Sequence, residues 1–333
     1  METKIIKLNF KTPIHVGNFN NLSGQEIPIH SDTIFGAICN ALDRLEVDIE
    51  EFVKNHGESF VISSGFPYVE NELYFPKPLN VDKLISKKFN INGNEENYKK
   101  LKKFKKIKFF DKKMFEAVIN RDDEMIERIL DEIGDEEDYG YKIFDLPKVV
   151  LDRVTVDSQI YYLTMARFEK DCGIYFLYKG SKEVFKNYLK PAIRLLEDEG
   201  IGGKRSWGLG LFNAKIDDFK LNVPKNGNYY LTLSLMFVDK PKINILERWN
   251  FVYRKGWIFV RSGSAHRKPL VVMISEGSII NENYTGEIID LDRFWKISEK
   301  VGHKVFVNGR GFLIPTNIGE EDETWNFNSH TYR

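Results

Sequence analysis

The sequence predicts an α+β protein with two ferredoxin-like domains, each built on an antiparallel sheet. Three observations lead there. The 333 residues exceed the usual length of one domain, and a strand-rich pattern restarts near residue 220. Phe and Tyr number 25 and 15, residues that suit pleated, half-buried surfaces. The first half reads strand, helix, two or three strands, helix, strand, the βαββαβ order of a sheet with helices on one face. The domains are expected at 1–219 and 220–333, the first with a helical insertion at about 81–145.

The elements follow in order. Ile5, Ile6, Leu8 and Phe10 mark a first strand, which Thr12-Pro13 ends. Residues 17–29 form a polar loop. Ile34, Ala37, Ile38, Ala41, Leu42 and Leu45 then recur at helical spacing. Ser31 or Asp32 is the expected N-cap. An alternative for His30-Ser31-Asp32-Thr33 is a helix N-terminus facing phosphate, with His30 and Thr33 as further donors. Phe60 to Ser64 is a short strand. Phe66–Val69 and Leu73–Pro76 read as a hairpin that Pro67, Pro76 and Pro78 confine to an edge or a projection.

The insertion differs in character. Tyr98 to Lys113 holds nine lysines, with Tyr98, Leu101, Phe104 and Ile107 at every third position, so a helix with a lysine face is expected. Val118, Ile119, Met125, Ile126, Ile129, Leu130 and Ile133 form a second apolar stripe, and ten acids lie between Asp122 and Asp138. Either these helices pair their charges with each other, or the lysine face meets RNA or an acidic partner. In both cases the segment is expected outside the sheet.

Strand-like patterns resume at Lys148–Thr155, Ile160–Phe168 and Gly173–Tyr178. Val184, Phe185, Tyr188, Leu189, Ala192, Ile193 and Leu196 define an amphipathic helix that Pro191 is expected to kink and Gly200 to stop. Between that helix and a strand at 211–216 lies Gly200-Ile201-Gly202-Gly203-Lys204-Arg205-Ser206-Trp207-Gly208-Leu209-Gly210, with five glycines. Such a run needs unusual backbone angles or close backbone approach. Backbone N–H groups beside Lys204, Arg205 and Trp207 suit a phosphodiester chain. A glycine-rich turn at a tight crossing is the alternative. Walker and dinucleotide loops run strand, loop, helix, so the order here excludes both.

In the second half, Tyr229–Val238 reads as a strand. Phe251–Tyr253 and Trp257–Val260 flank Arg254-Lys255-Gly256 as a hairpin. Strands are expected at 270–274, 285–289 and 303–315, and 320–333 is a polar tail. Ser262 to Lys268 is a small-residue loop with a basic end, either a phosphate contact through His266, Arg267 and Lys268 or a solvated turn.

Composition limits the partners. Hydrophobic content is 42%, and 49 basic residues balance 49 acidic ones, so any basic site must be local. Cys39 and Cys172 sit in apolar segments and read as reduced thiols of a cytoplasmic protein. No apolar run approaches the ~20 residues of a membrane span. No His/Cys/Asp/Glu spacing suggests a metal, and no cofactor is expected.

Gly200, Gly202, Gly203, Gly208, Gly210 and Phe212 match the GxGGxxxxGxGxF signature of the RAMP superfamily of CRISPR-associated proteins. The His30–Leu42 and His303–Pro315 segments resemble one branch of it, the fourth subunit of type III-A (Csm) effector complexes. The resemblance covers most of the chain, weakly at 81–145. It implies two ferredoxin-like, RRM-like domains and no catalysis. It also implies a grip on the 5′ handle of the CRISPR RNA, and contacts with a large polymerase-like subunit and a backbone RAMP subunit. In backbone subunits an acidic residue near the first helix cuts target RNA; Asp32 lies near that place but is taken as a cap or an RNA contact. RNA of this kind is held by phosphate contacts and by stacking on rings. Trp207 and Phe212 are the candidate rings, with core packing as the alternative for Trp207. Lys204 and Arg205 supply charge, and Arg153, His266 and Lys268 are further candidates. Two rival functions remain. One is a CRISPR RNA-processing endoribonuclease using His15, His30 or His56, against which stands the long chain after the glycine loop. The other is an assembly protein without RNA contact.

Overall fold

The computed structural model describes residues 2–17, 27–79, 81–88, 95–132, 138–152, 157–260 and 266–319. The first half contains β1 (Glu2–Phe10), α1 (Ser31–Arg44), α2 (Ile49–His56), β2 (Phe60–Ile62), β3 (Phe66–Val69), β4 (Glu72–Pro76), α3 (Val81–Lys88), α4 (Glu95–Lys106) and β5 (Phe109–Asp111). After these come α5 (Lys112–Asn120), α6 (Asp123–Glu132), β6 (Tyr141–Leu151), β7 (Ser158–Phe168), β8 (Cys172–Gly180), α7 (Lys182–Val184), α8 (Lys190–Glu199) and β9 (Phe212–Asp218). The main sheet runs β5-β4-β3-β8-β1-β9, with β2 also paired to β8, and every pairing is antiparallel. The protein is therefore α+β with antiparallel sheets, as expected.

Period-2 alternation splits the sheet into two buried faces. Ile6, Leu8, Ile174, Phe176 and Tyr178 pack with α1 and α8. Ile5, Tyr175 and Leu177 point the other way, into a cluster with Phe66, Phe75, Phe104, Phe115 and strands of the second half. Helices on one face only were expected; the second face is buried too, under the insertion and the second half.

Several local expectations change. The 66–76 hairpin does not project: β3 lies between β8 and β4. The β3–β4 ladder covers only Tyr68 and Val69, so the missing N–H of Pro67 falls beyond it. The insertion is not outside the sheet, because its helix stops at Lys106 and Phe109, Phe110 and Asp111 pair with β4. Both phenylalanines are buried, which favours a strand there over continued helix. Lys100 and Asp131 form an ion pair at 2.8 Å, one instance of the charge pairing between α4 and α6. The kink at Pro191 is a five-residue π-helical turn, Phe185–Leu189. There the Lys190 N–H donates to the Phe185 carbonyl, which relieves the geometry that a proline disrupts.

The second half contains β10 (Tyr229–Thr232), β11 (Leu246–Arg248), β12 (Phe251–Arg254), β13 (Trp257–Ile258), β14 (His266–Arg267), β15 (Val271–Ile274), β16 (Ile279–Ile280), β17 (Ile288–Asp290), α9 (Asp292–Trp295), α10 (Ser298–Val301), β18 (Phe306–Asn308) and β19 (Leu313–Thr316). Its sheet is β11-β16-β10-β19. The predicted hairpin turn at 254–256 does not form. Instead β12 pairs with β15 and β13 with β14, so residues 251–258 run back along 266–274 as one irregular hairpin. The two halves share a core: Leu231, Leu233, Ile279, Phe312 and Ile314 sit with Phe66 and Phe75. The Ser64 N–H donates to the Leu233 carbonyl at 2.8 Å.

Candidate functional site

The glycine segment joins α8 to β9 and folds against residues 11–16, just past β1. Its glycines serve backbone approach. A Cβ on Gly210 would stand 2.0 Å from the Ile201 carbonyl oxygen, and Gly210 has φ +75°. A Cβ on Gly202, at φ +94°, would stand 2.6 Å from the His15 carbonyl oxygen. The Gly203 N–H donates to His15 (2.8 Å), Gly210 to Pro13 (2.9 Å), Gly200 to Leu196 (2.8 Å) and Gly208 to Arg205 (2.8 Å). The expected cradle of backbone donors at these four glycines is therefore used up internally, because the crossing needs those bonds. Phe212 is 1% exposed and packs edge-on to Phe10, so it offers no face to a base.

Trp207 does the opposite. It is 48% exposed, which overturns core packing. The Lys204 Nζ lies 4.7 Å from its ring centroid and the Lys148 Nζ 5.1 Å. Lys204 itself has φ +59°, which aims the turn of Arg205, Ser206 and Trp207 outward. Arg205 faces Glu199 at 3.5 Å. Its burial pulls the guanidinium pKa down and Glu199 opposes that.

Residue 148 lies on a hairpin of β6 and β7, paired from Tyr141–Phe168 to Leu151–Ser158. His15 fixes this hairpin beside the glycine segment. Its ring Nδ1 sits 2.8 Å from the Thr164 carbonyl while its own carbonyl accepts from Gly203. The adjacent Ile14 bridges to Ala166. Beyond Lys148 the hairpin exposes Val149, Val150, Leu151, Ile160 and Tyr162.

The start of α1 does not face an outside anion. His30, not Ser31 or Asp32, is the N-cap residue, and its backbone carbonyl accepts from Thr33 and Ile34. The His30 Nδ1 meets Glu276 at 2.8 Å, and Ser64 donates to the same carboxylate. The Ser31 hydroxyl accepts from the Leu235 N–H at 3.2 Å. The Arg254 Nε donates to Asp32 and its Nη2 to Thr33, both at 3.0 Å. His30, Ser31, Asp32, Arg254 and Glu276 are all buried. The second half covers this helix end, leaving His30 and Ser31 buried and Thr33 half-buried, with their polar groups bonded within the chain. Burial pushes the carboxyls of Asp32 and Glu276 up. Arg254 beside the first and His30 beside the second outweigh it, and both titrate below their ordinary values. Lys268 turns to the same cluster; burial lowers its pKa against the pull of Asp32. His266, on β14, pairs with Ile258 of β13. Arg153 and residues 261–265 lie outside the described residues.

Comparison with known proteins locates this arrangement. The model described as the RAMP superfamily matches residues 7–213, and that described as the CRISPR Csm4 C-terminal domain matches 225–316. The chain belongs to the Csm4 branch of the RAMP superfamily. A protein named CRISPR system Cms protein Csm4 from Thermococcus onnurineus (strain NA1) is 36% identical over 299 residues, 89% of this chain and 94% of the relative. A protein of the same name from Methanocaldococcus jannaschii is 25% identical over 380 residues, 95% and 98% of the two chains. A crystal structure of a Csm1-Csm4 cassette in complex with cA4 superposes with TM-score 0.64 at 28% identity, covering 96% of this chain and all of that one.

Within this RAMP chain, the sequence pattern placed strands at 148–155 and 160–168 but not Lys148 as a site residue, nor the start of the first strand at Tyr141. The signal was present: Val149, Val150, Leu151, Ile160 and Tyr162 are apolar residues around a polar bend, with no partner strand in the sequence pattern to cover them. Among the described residues no helix is long and apolar enough to cross a membrane. Nor, among the same residues, does any group of three His, Cys, Asp or Glu side chains form a metal-binding set.

Proposed function

We propose that this RAMP-superfamily chain is a non-catalytic, RNA-binding subunit of a type III-A CRISPR effector complex in the cytoplasm. It holds the 5′ handle of the CRISPR RNA and bridges a large polymerase-like subunit to a backbone RAMP subunit. The observation that carries the reading is the exposed Trp207 ring with Lys204 and Lys148 over it, at the loop that carries the family signature. A ring between cations gives a base a stacking surface and its phosphates a counter-charge. The exposed hairpin beside it extends that surface. A solved relative is a cassette of Csm4 with Csm1, which supports the large-subunit contact.

The order β9-β1-β8-β3 with α1 and α8 supports a ferredoxin-like plan for the first half. We read the second half as a reduced copy whose helices are α9 and α10. The domain division at 219/220 belongs to the same reading.

The test uses the full chain and a fluorescently labelled single-stranded RNA carrying a repeat-derived 5′ handle. Trp207→Ala is expected to weaken binding roughly 5- to 150-fold, the worth of about 1–3 kcal/mol of stacking. Unchanged affinity would sink the proposal. The endoribonuclease alternative needs an accessible general base. His30 is engaged by Glu276, His15 by the Thr164 carbonyl, and the His56 ring packs against Phe52 and Tyr188, which favours binding over cleavage. Metal-independent cutting of labelled repeat RNA, abolished by His30→Ala, would reverse that preference.

A further inference from the structure

The hairpin of the second half carries a row of exposed side chains that the glycine segment does not account for. Along β12 and β13, Phe251, Tyr253, Lys255, Trp257 and Phe259 are exposed, while Arg254 and Ile258 between them are buried. Strand geometry puts Phe251 and Tyr253 on one outward face of β12, and the exposure of Lys255, Trp257 and Phe259 continues the row through the irregular stretch beyond it. The Arg267 guanidinium on the paired strand lies 4.8 Å from the Trp257 ring centroid, and Arg44 from α1 lies 5.7 Å from that of Phe259. The Trp257–Phe259 end of the row therefore alternates rings with cations.

This row is continuous with the glycine segment. Arg44 also pairs with Glu199 at 2.5 Å, and Glu199 faces Arg205 two residues before Trp207. Phe259, Arg44, Glu199 and Arg205 thus link the hairpin of the second half to the turn that carries Trp207. Successive outward positions on a strand are about 6.6 Å apart, about twice the ~3.4 Å rise of stacked bases. A base has room against each ring at that spacing.

We propose that Trp257, Phe259, Lys255 and Arg267 form a second stacking platform for single-stranded RNA. It extends the track that begins at Trp207 and takes bases without reading their edges. The inference rests on the RNA-binding reading of the glycine segment. Rings interleaved with guanidinium and ammonium groups favour a polyanion with planar bases over an apolar protein partner.

The experiment measures anisotropy of the full-length chain with labelled single-stranded RNAs of about 4 and about 16 nucleotides, spanning the site sizes of known single-strand binders. Trp257→Ala is expected to weaken the longer RNA roughly 5- to 150-fold and to leave the shorter one unchanged, while Trp257→Phe retains binding. Arg267→Gln is expected to lower the salt dependence of the longer RNA. If Trp207→Ala weakens both RNAs and Trp257→Ala weakens neither, the second platform is wrong and the first stands. If neither variant matters, both readings fall. If Trp257→Ala spares RNA but abolishes co-purification with the partner subunits, the row is a protein interface and the proposal is overturned. Thermal melts of the variants matching the parent chain keep each outcome interpretable.

Discussion

Gly210 and Gly208 share nearly the same backbone angle, φ +75° and +76°, but not the same surroundings. A Cβ at 210 meets the Ile201 carbonyl oxygen, whereas nothing lies within 4 Å of one at 208. Gly208→Ala is therefore expected to cost only the left-handed backbone penalty, about 1–2 kcal/mol. Gly210→Ala adds displacement of the Ile201–Gly210 crossing and should lower the melting temperature clearly more. Equal melting temperatures for the two variants would mean that the crossing relaxes freely. At this scale the sequence was legible in part. Glycine marks an unusual backbone wherever it is required, so the loop stood out. It does not say whether the N–H groups face a ligand or a neighbouring strand, because that depends on residues 11–16, about two hundred positions away. Phe212 and Trp207 illustrate the same limit: two rings of one motif, one enclosed by Phe10 and one in solvent.

At the scale of elements, the start of α1 is held by charges from the other half of the chain. Arg254→Met removes the hydrogen-bonded partner of buried Asp32 and is expected to cost about 3–5 kcal/mol, since a buried charge loses its ion pair. Arg254→Met combined with Asp32→Leu should recover most of that loss in a thermal melt, and no recovery would disprove the pairing as its source. The pH dependence follows from the directions of the shifts. Asp32 and Glu276 titrate lower in the folded chain than in the unfolded one. Their contribution is complete above the unfolded values, about 3.9 and 4.3, and is lost as pH falls through the folded ones. Lys268 is lowered instead, so its burial opposes folding at neutral pH, and that penalty lifts only at alkaline pH. Glu276→Gln combined with His30→Phe removes one of the two carboxylates. Its stability, measured by denaturant unfolding, should therefore fall less steeply with acid than that of the parent chain, and an equal slope would show that Glu276 contributes nothing to it. Helix periodicity located α1 and α8 well, because an apolar stripe is a local signal. The partners of Ser31, Asp32 and Thr33 were invisible for the opposite reason: capping and ion pairing give the same residue types, and only the fold separates them.

Taken whole, the molecule has one hydrophobic cluster built by both halves of the chain, beside others that each half forms largely from its own residues. Phe66 and Phe75 pack in the same cluster as Leu231, Leu233 and Phe312. The full chain is accordingly expected to melt in a single calorimetric transition, despite two strand-rich halves. Two resolved transitions, or a fragment 1–219 that melts cooperatively alone, would contradict that coupling. Phe312→Ala, in the second half, should destabilise the first as well, by about 3–5 kcal/mol. The restart of the strand pattern near 220 was readable because strands alternate locally. The burial of both faces of the first sheet was readable only in hindsight, from the unbroken apolar run of Cys172 to Tyr178. The Arg254–Asp32 pair has a further consequence, in time. The two residues are 222 positions apart. At roughly 5–20 residues per second of synthesis, the Asp32 carboxylate emerges on the order of 10–45 s before its partner exists. Through that interval α1 has its apolar stripe but not the guanidinium that pairs with Asp32, so its first turn can reach its final arrangement only after Arg254 has been made.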